Sequence, residues 1–347
     1  MLENPLTVGR LVLTAVVSAA TASCDSTEPR PPATHIAFVA EPAASSSADG
    51  TLGTVSVAFL DAEEQIATQE SSTISLSLTA VDTSAHLTGT TTATAQSGVA
   101  TFSGLSVNRT GPAYILVANA GSMEASSRLF AIVPGAPAGL LFEGIGTGVA
   151  GQPLHGQGTT NVYVYVVDAK GNSVGSGTQS ITLALAASPA NDTLFGTTVV
   201  QASNGFAEFS GLSLHRAGAH SLSAAAAGLT TATSPSFTVQ TGPASKLAFV
   251  TQPGNGTAGS ALPTFFVATT DAYDNTQQLP QSGPVTIAFG NNPTGATLSG
   301  TLTQSPLVVN SVRFNDVRVD KSGTGYTLTA TAASFPTVTS NTFTVNP

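Results

Sequence analysis

Several groups of residues in this 347-residue chain have types and spacings that invite a chemical reading. GNSVG, Gly171 to Gly175, fits the G-x-S-x-G pattern, in which a serine nucleophile sits on a sharp strand-to-helix turn. The stretch after it reads as another strand, so Ser173 belongs to a β-turn, and no local pattern places a His or Asp to activate it. GTGVAG, Gly146 to Gly151, fits G-x-G-x-x-G. A dinucleotide site needs a helix next, so that its N-terminal amides face the pyrophosphate, and GQPLHGQGTTN cannot start one. The acidic turns carry more. Asp168 with Asn172, Asp271 with Asp274 and Asn275, and Asp61 with Glu63 and Glu64 offer oxygen ligands of the kind Ca²⁺ takes. Each turn alone supplies too few, and none has the spacing of a calcium loop. The expectation is that these side chains bond their own turn backbone, with Ca²⁺ binding left open.

His155, His215 and His220 are too widely spaced for zinc and have no cysteine beside them, so structural duty is expected. His220 aligns with Tyr114 and Tyr326, which suits a hydrogen bond like that of a tyrosine corner. Tyr163 and Tyr165 share one face of an alternating strand, VYVYVVD, opposite Val162, Val164 and Val166. Two outward rings spaced by two could stack on a sugar or grip a protein, making them the candidate ligand contacts; local cover of the sheet is the plainer reading. The equivalent positions are Ser56 and Ala58 earlier in the chain, and Phe266 and Ala268 later. Cys24 is the chain's one cysteine. It closes TASC after an apolar run, Leu11 to Ala20, that is too short to span a bilayer as a helix. This is the outline of an export signal over residues 1–23, with Cys24 as the lipidated residue of a bacterial lipobox. Ordinary cleavage after Ala22 is the alternative. Residues 24–34, Pro-rich and polar after the Cys, predict an anchor and a short disordered tether.

The elements that position these residues come in repeats. SGVATFSGLSVNRTG, from Ser97, returns as NGFAEFSGLSLHRAG, from Asn204, and as NSVRFNDVRVDKSG, from Asn310. Phe102, Phe209 and Phe314 are 107 and 105 residues apart. Around this block, similar strands recur in order. HIAFVA from His35, GLLF from Gly139 and KLAFVT from Lys246 open the copies. VSVAFLD, VYVYVVD and FFVATTD come second, each ending at an Asp that starts a turn. Alternating strands come third, from Thr73, Ser180 and Val285, then LTGT, LFGT and LSGT. In the repeated block the Phe-to-Leu spacing of three breaks the strand period, with Gly104 and Gly211 inside the break. That predicts a bend where the strand passes from one sheet to the other. Tyr114, His220 and Tyr326 start the sixth strands, and Phe130, Phe237 and Phe343 lie on the seventh.

Seven short antiparallel strands written three times predict an all-β fold, with three tandem immunoglobulin-like β-sandwich domains over residues 35–134, 138–241 and 245–347. A unit of about 105 residues can bury a sufficient core without a disulfide. The linkers PGAPA, from Pro134, and TGPA, from Thr241, are short and Pro-bearing, which restricts hinging. Three such domains would reach roughly 100 Å end to end. The charge balance, 10 Lys plus Arg against 19 Asp plus Glu, gives a net charge of −9 without a basic patch, which argues against nucleic acid as a partner.

The opening LAFVTQP, the D-x-x-x-N turn, the G-x-A-x-F-x-G-L block and the closing F-x-V resemble the bacterial immunoglobulin-like (Big) repeats of the invasin and intimin type, over residues 35 to 347. The chain carries neither the outer-membrane barrel nor the lectin-like tip of those proteins. The resemblance implies a non-enzymatic cell-envelope protein without a cofactor, held to the membrane by its lipid anchor. It would act as a stalk, a spacer or an adhesive module toward a surface protein or polysaccharide. A secreted or periplasmic location is the alternative, as is a carbohydrate- or protein-binding module centred on Tyr163 and Tyr165.

Overall fold

The alternation of Val, Ile, Phe and Leu with Ser and Thr dictates half-buried strands, and strands are what form. In the computed structural model, which describes residues 31–189, 192–276, 283–305 and 311–347, the chain is all-β and of β-sandwich type. No helix among the described residues is long and apolar enough to cross a membrane. The segment expected to be an export signal, residues 1–23, and Cys24 lie outside the described residues.

The buried apolar side chains form three clusters, from Ile36 to Ile132, from Leu140 to Val239 and from Leu247 to Val345. Each lies between a three-stranded sheet and a facing layer of strands. In the first unit, His35–Ala40, Val55–Leu60 and Val99–Phe102 make a three-stranded sheet. Facing it, Ser45–Ser47, Phe130–Val133, Gly111–Ala120, Thr73–Thr79 and Thr92–Thr94 lie in that order, with Met123–Ser126 also paired to Gly111–Ala120. The second unit repeats this plan with Gly139–Phe142, Val162–Val167 and Phe206–Phe209. The third has the same three-stranded sheet, Lys246–Thr251, Phe265–Thr270 and Ser311–Phe314, but its facing layer is split into two sheets, one of Gly256–Thr257, Phe343–Asn346 and Gly323–Tyr326 and one of Thr303–Gln304, Val285–Phe289, Leu328–Ala332 and Phe335–Thr339.

The central strands carry the cores. Val55 and Val57, Val162, Val164 and Val166, and Phe265 and Val267 are fully buried, as the period of two requires. The three repeated phenylalanines, Phe102, Phe209 and Phe314, are all at 0% exposure. Burying each is worth about 1.5–3 kcal/mol.

Two expectations need correction. The strands are not all antiparallel: after each opening strand the chain changes sheet, and Ser45–Ser47, Gly148–Val149 and Gly256–Thr257 each pair parallel with the closing strand of their unit. Pro42 and Pro253 fall at this change, where a missing N–H costs no ladder bond. The bend in the repeated block does form, at Gly104 (φ 67°) and Gly211 (φ 66°). It does not carry the strand into the opposite large sheet. Ser106–Val107 forms a ladder with Leu87–Thr88, and Arg318–Val319 one with Leu298–Ser299, Arg318 also bridging Ala261. That small ladder explains the L-x-G-T repeat. A Cβ on Gly89, Gly196 or Gly300 would lie 2.3, 2.4 or 2.3 Å from the carbonyl oxygen of Gly104, Gly211 or Asp316. Only glycine allows that approach.

A further repeat is hidden in ordinary residues. Ser127, Ser234 and Ser340 are buried, and each hydroxyl accepts the amide of a core leucine, Leu116, Leu222 or Leu328, at 2.9, 3.0 and 2.9 Å. These side chains replace a ladder bond where the closing strand leaves its neighbour.

Candidate functional site

The Asp turns are joints between units. In the second unit Asp168 Oδ1 accepts the amides of Lys170 and Asn172, both at 2.9 Å, which is the turn bonding expected from sequence. Asp168 Oδ2 also accepts the linker amide of Gly135 at 2.9 Å and the Asn172 amide group at 3.0 Å. Asn172 then reaches into the first unit: its Nδ2 donates to the Asn108 carbonyl at 3.0 Å, and its Oδ1 accepts from the Thr110 amide at 3.3 Å. Lys170 adds an ion pair with Asp49 at 3.0 Å.

The next joint repeats the design. Gly242 N donates to Asp271 Oδ2 at 2.8 Å, Asn275 Nδ2 donates to the His215 carbonyl at 2.7 Å, and Ala217 N donates to Asn275 Oδ1 at 2.9 Å. Burial alone would raise both carboxyls, but the bonds from Gly135, Asn172 and Lys170, and from Asn275, Gly242 and Tyr273, hold Asp168 and Asp271 below the ordinary carboxylate range. These oxygens are therefore spent on protein donors. No group of three or more His, Cys, Asp or Glu side chains that could hold a metal occurs among the described residues.

The first unit has the turn but another residue closing it. Asp61 Oδ1 accepts Glu63 N at 3.0 Å and Gln65 N at 2.8 Å, while the longer Gln65 side chain folds back to the Glu63 carbonyl at 3.2 Å.

The histidines do structural work. Tyr114 OH donates to the Arg109 carbonyl and Tyr326 OH to the Lys321 carbonyl, each at 2.9 Å. His220 stands in their place and is buried. Its Nδ1 faces the Gly218 carbonyl at 3.1 Å and its Nε2 faces Asp192 Oδ2 at 2.8 Å. Both partners are acceptors, and the shorter contact is the one to the carboxylate. Asp192 also takes the amides of Thr193 at 2.9 Å, His215 at 3.2 Å and Arg216 at 3.3 Å. Burial would raise its carboxyl, but the His220 bond and these amides hold it low. The pair thus secures the loop that meets the third unit. There the His215 ring lies between Phe195 and Tyr273, with centroids 4.0 and 3.9 Å away, and Arg216 Nη1 donates to the Tyr273 carbonyl at 2.8 Å. A shallow cleft of about 260 Å³ opens beside this stack. His155 sits apart, with Nδ1 3.1 Å from the Gly156 carbonyl.

Tyr163 and Tyr165 lie on the outer side of Val162–Val167, half-buried. The structure brings them to a third ring that sequence reading missed. Phe206, on the adjacent strand, lies 5.9 Å from Tyr163 and 6.0 Å from Tyr165, ring centre to ring centre. Leu141, opposite Tyr165 on the other flank, is 50% exposed. Tyr163 OH donates to Glu208 Oε1 at 2.9 Å, and Asn161 Nδ2 donates to the same oxygen at 2.7 Å. The bond to Glu208 holds the phenol above its usual range. The result is an aromatic strip with an acidic rim, suited to stacking.

Ser173 forms an isolated bridge with Val167 inside the Asp168 turn, and Gly148–Val149 is itself a strand, so both motif-like stretches are β structure.

No family model and no curated protein matches this sequence. Among solved structures, the ectodomain of human desmocollin-1 is 9% identical over 90% of this chain and 58% of its own, with a TM-score of 0.39. The S-layer protein rSbsC is 16% identical over 92% of this chain and 41% of its own, with a TM-score of 0.25. A β-glycosidase from Bacteroides vulgatus is 11% identical over 59% of this chain and 24% of its own, with a TM-score of 0.26. The chain spans less than two thirds of each of these proteins, and at such TM-scores none carries an argument about function.

Proposed function

We propose that this chain is a non-enzymatic, extracytoplasmic array of three tandem immunoglobulin-like domains, at residues 35–134, 138–241 and 245–347, lipid-anchored at Cys24 and acting as a stalk, spacer or adhesive module of the cell envelope. The observation that carries the reading is the joint built twice. A stalk must hold its ends at a set distance, and that requires each domain to grip its predecessor. Asn172 and Asn275 each bridge a carbonyl and an amide of the preceding unit, and Asp168 and Asp271 each clamp the linker. Both carboxylates and both amides are committed to this purpose. The test is small-angle scattering of residues 25–347 combined with intact mass of the mature protein. An elongated particle of roughly 100 Å and a lipid-modified Cys24 are expected. A compact particle overturns the array, and an unmodified chain beginning at Ser23 overturns the anchor.

A second reading rests on the strip formed by Tyr163, Phe206 and Tyr165, which makes the middle domain a carbohydrate- or protein-binding module. The first domain has Ser56 and Ala58 at the tyrosine positions and the third has Phe266 and Ala268, so the strip belongs to one domain alone. A glycan array with the wild type and the Tyr163→Ala, Tyr165→Ala double variant tests it. Binding lost only in the variant supports this reading, and equal or absent binding by both removes it.

A further inference from the structure

The far end of the third unit repeats half of a joint. In both joints the receiving loop offers one carbonyl and the amide two residues on, Asn108 with Thr110 and His215 with Ala217. The matching loop of the third unit is Asp320, Lys321 and Ser322, after Arg318–Val319. It is framed in the same way. Tyr326 OH donates to the Lys321 carbonyl at 2.9 Å, as Tyr114 does to Arg109. Asp320 Oδ1 accepts the Thr297 amide at 2.6 Å and Asp320 N donates to the Thr297 carbonyl at 3.3 Å, so the loop is held before anything docks. Asp320, Lys321 and Ser322 are exposed, whereas Asn108 to Thr110 and His215 to Ala217 are half-buried by the unit next in the chain. Among the described residues nothing bonds the Asp320 carbonyl or the Ser322 amide.

A second feature points the same way. In the second joint Tyr273 rests on Gly151, where a Cβ would lie 2.2 Å from the ring. Gly151 N donates to the Leu214 carbonyl, and Gly259 N donates to the Val319 carbonyl, each at 2.8 Å. Both glycines have φ of +76°, and the space above Gly259 is open. The third unit therefore presents both the backbone clamp and the glycine seat.

We infer that this end of the third unit, the Asp320 carbonyl, the Ser322 amide and Gly259, is a docking face for another β-sandwich unit of the same kind, one whose first turn reads Asp-x-Tyr-x-Asn as Asp271 to Asn275 does. Recognition runs through the backbone, which is why Asn108, His215 and Asp320 can differ in type while their carbonyls do the same work. It requires only that the residue two positions on keep its N–H, and Thr110, Ala217 and Ser322 all do. The first unit's own turn does not fit this face, because Gln65 is folded onto Glu63. Simple head-to-tail pairing of two copies through that turn is thereby disfavoured. The inference is independent of the lipid anchor and of the role proposed above.

The test extends the full chain beyond Pro347 with a second copy of residues 242–347 and measures amide hydrogen exchange by NMR. The Ser322 amide is expected to exchange at least about tenfold more slowly in the extended chain, the effect of a pair of ordinary hydrogen bonds. Asn275→Ala in the appended copy alone should restore the original rate, with Ala217 protected throughout. A second extension, with residues 135–241, supplies the Asp168 and Asn172 turn in case the first folds poorly, and should also protect Ser322. Unchanged Ser322 exchange in both extensions overturns the inference, as does protection that survives the Asn275→Ala change.

Discussion

Asp192→Asn is the most informative single change in the middle unit. The His220 and Asp192 side chains are 0% and 1% exposed, with Nε2 and Oδ2 2.8 Å apart. The substitution keeps the shape and removes the charged acceptor from a fully buried contact. Losing a hydrogen bond to a charged group in this way costs about 1.5–3 kcal/mol. For a unit of about 100 residues that corresponds to a fall in Tm of at least roughly 6 °C. His220→Phe removes the ring nitrogens instead and leaves Asp192 with the amides of Thr193, His215 and Arg216. The double variant then closes a thermodynamic cycle, measured by urea unfolding with a probe in the middle unit. A coupling of about 1 kcal/mol or more between the two positions is expected, because either loss alone leaves a buried polar group without its partner and the joint loss does not. Additive effects, with coupling below about 0.5 kcal/mol, would refute the bond and with it the reading of His220 as a polar replacement for the tyrosines at its equivalent positions.

Asn275→Ala removes two bonds across the second joint, so Ala217 amide exchange should accelerate by at least about tenfold while Val267, inside its sheet, stays unchanged; equal exchange in both proteins contradicts the joint. Phe209→Ala empties the centre of one core and should destabilise that unit by about 3–5 kcal/mol in calorimetry, leaving the transitions of the other two in place. Asp168 and Asp271 have carboxyls held below their ordinary value of 3.8, so their contribution is complete above it and is lost as pH falls further. Exchange of the Gly135 and Gly242 amides should therefore be constant relative to core amides above about pH 5 and rise below 3.8; tightening on acidification would show the sign to be wrong. Tyr163→Ala with Tyr165→Ala removes half-buried rings and should leave the core of the unit folded, as far-UV circular dichroism would show, since Val162, Val164 and Val166 face the other way.

Much of the architecture is written in local pattern. Alternation identifies the central strands, because a strand's faces are set by a period of two and need no knowledge of its neighbours. The repeated Phe102, Phe209 and Phe314 mark the cores for the same reason. The Asp168 and Asp271 turns are readable as turns, since an Asp bonding the amide two residues on is a local event.

Their second function is not readable. Asn172 meets Asn108 across 64 residues and Asn275 meets His215 across 60, and in each case the target is a backbone carbonyl that carries no side-chain identity. The Asp192 partner of His220 is 28 residues away, on a loop with no pattern of its own. Phe206 and Glu208 join the tyrosine face only through the register that sets Phe206 opposite Tyr165 and Glu208 opposite Tyr163. The parallel pairing of Ser45–Ser47 is equally silent, because its three serines show no hydrophobic alternation. Periodicity along one strand thus determined which side chains are buried and how often the unit recurs. Which backbone groups, rings and charges meet was decided by sheet register and by how successive units abut, which are properties of the assembled chain and of no single stretch of it.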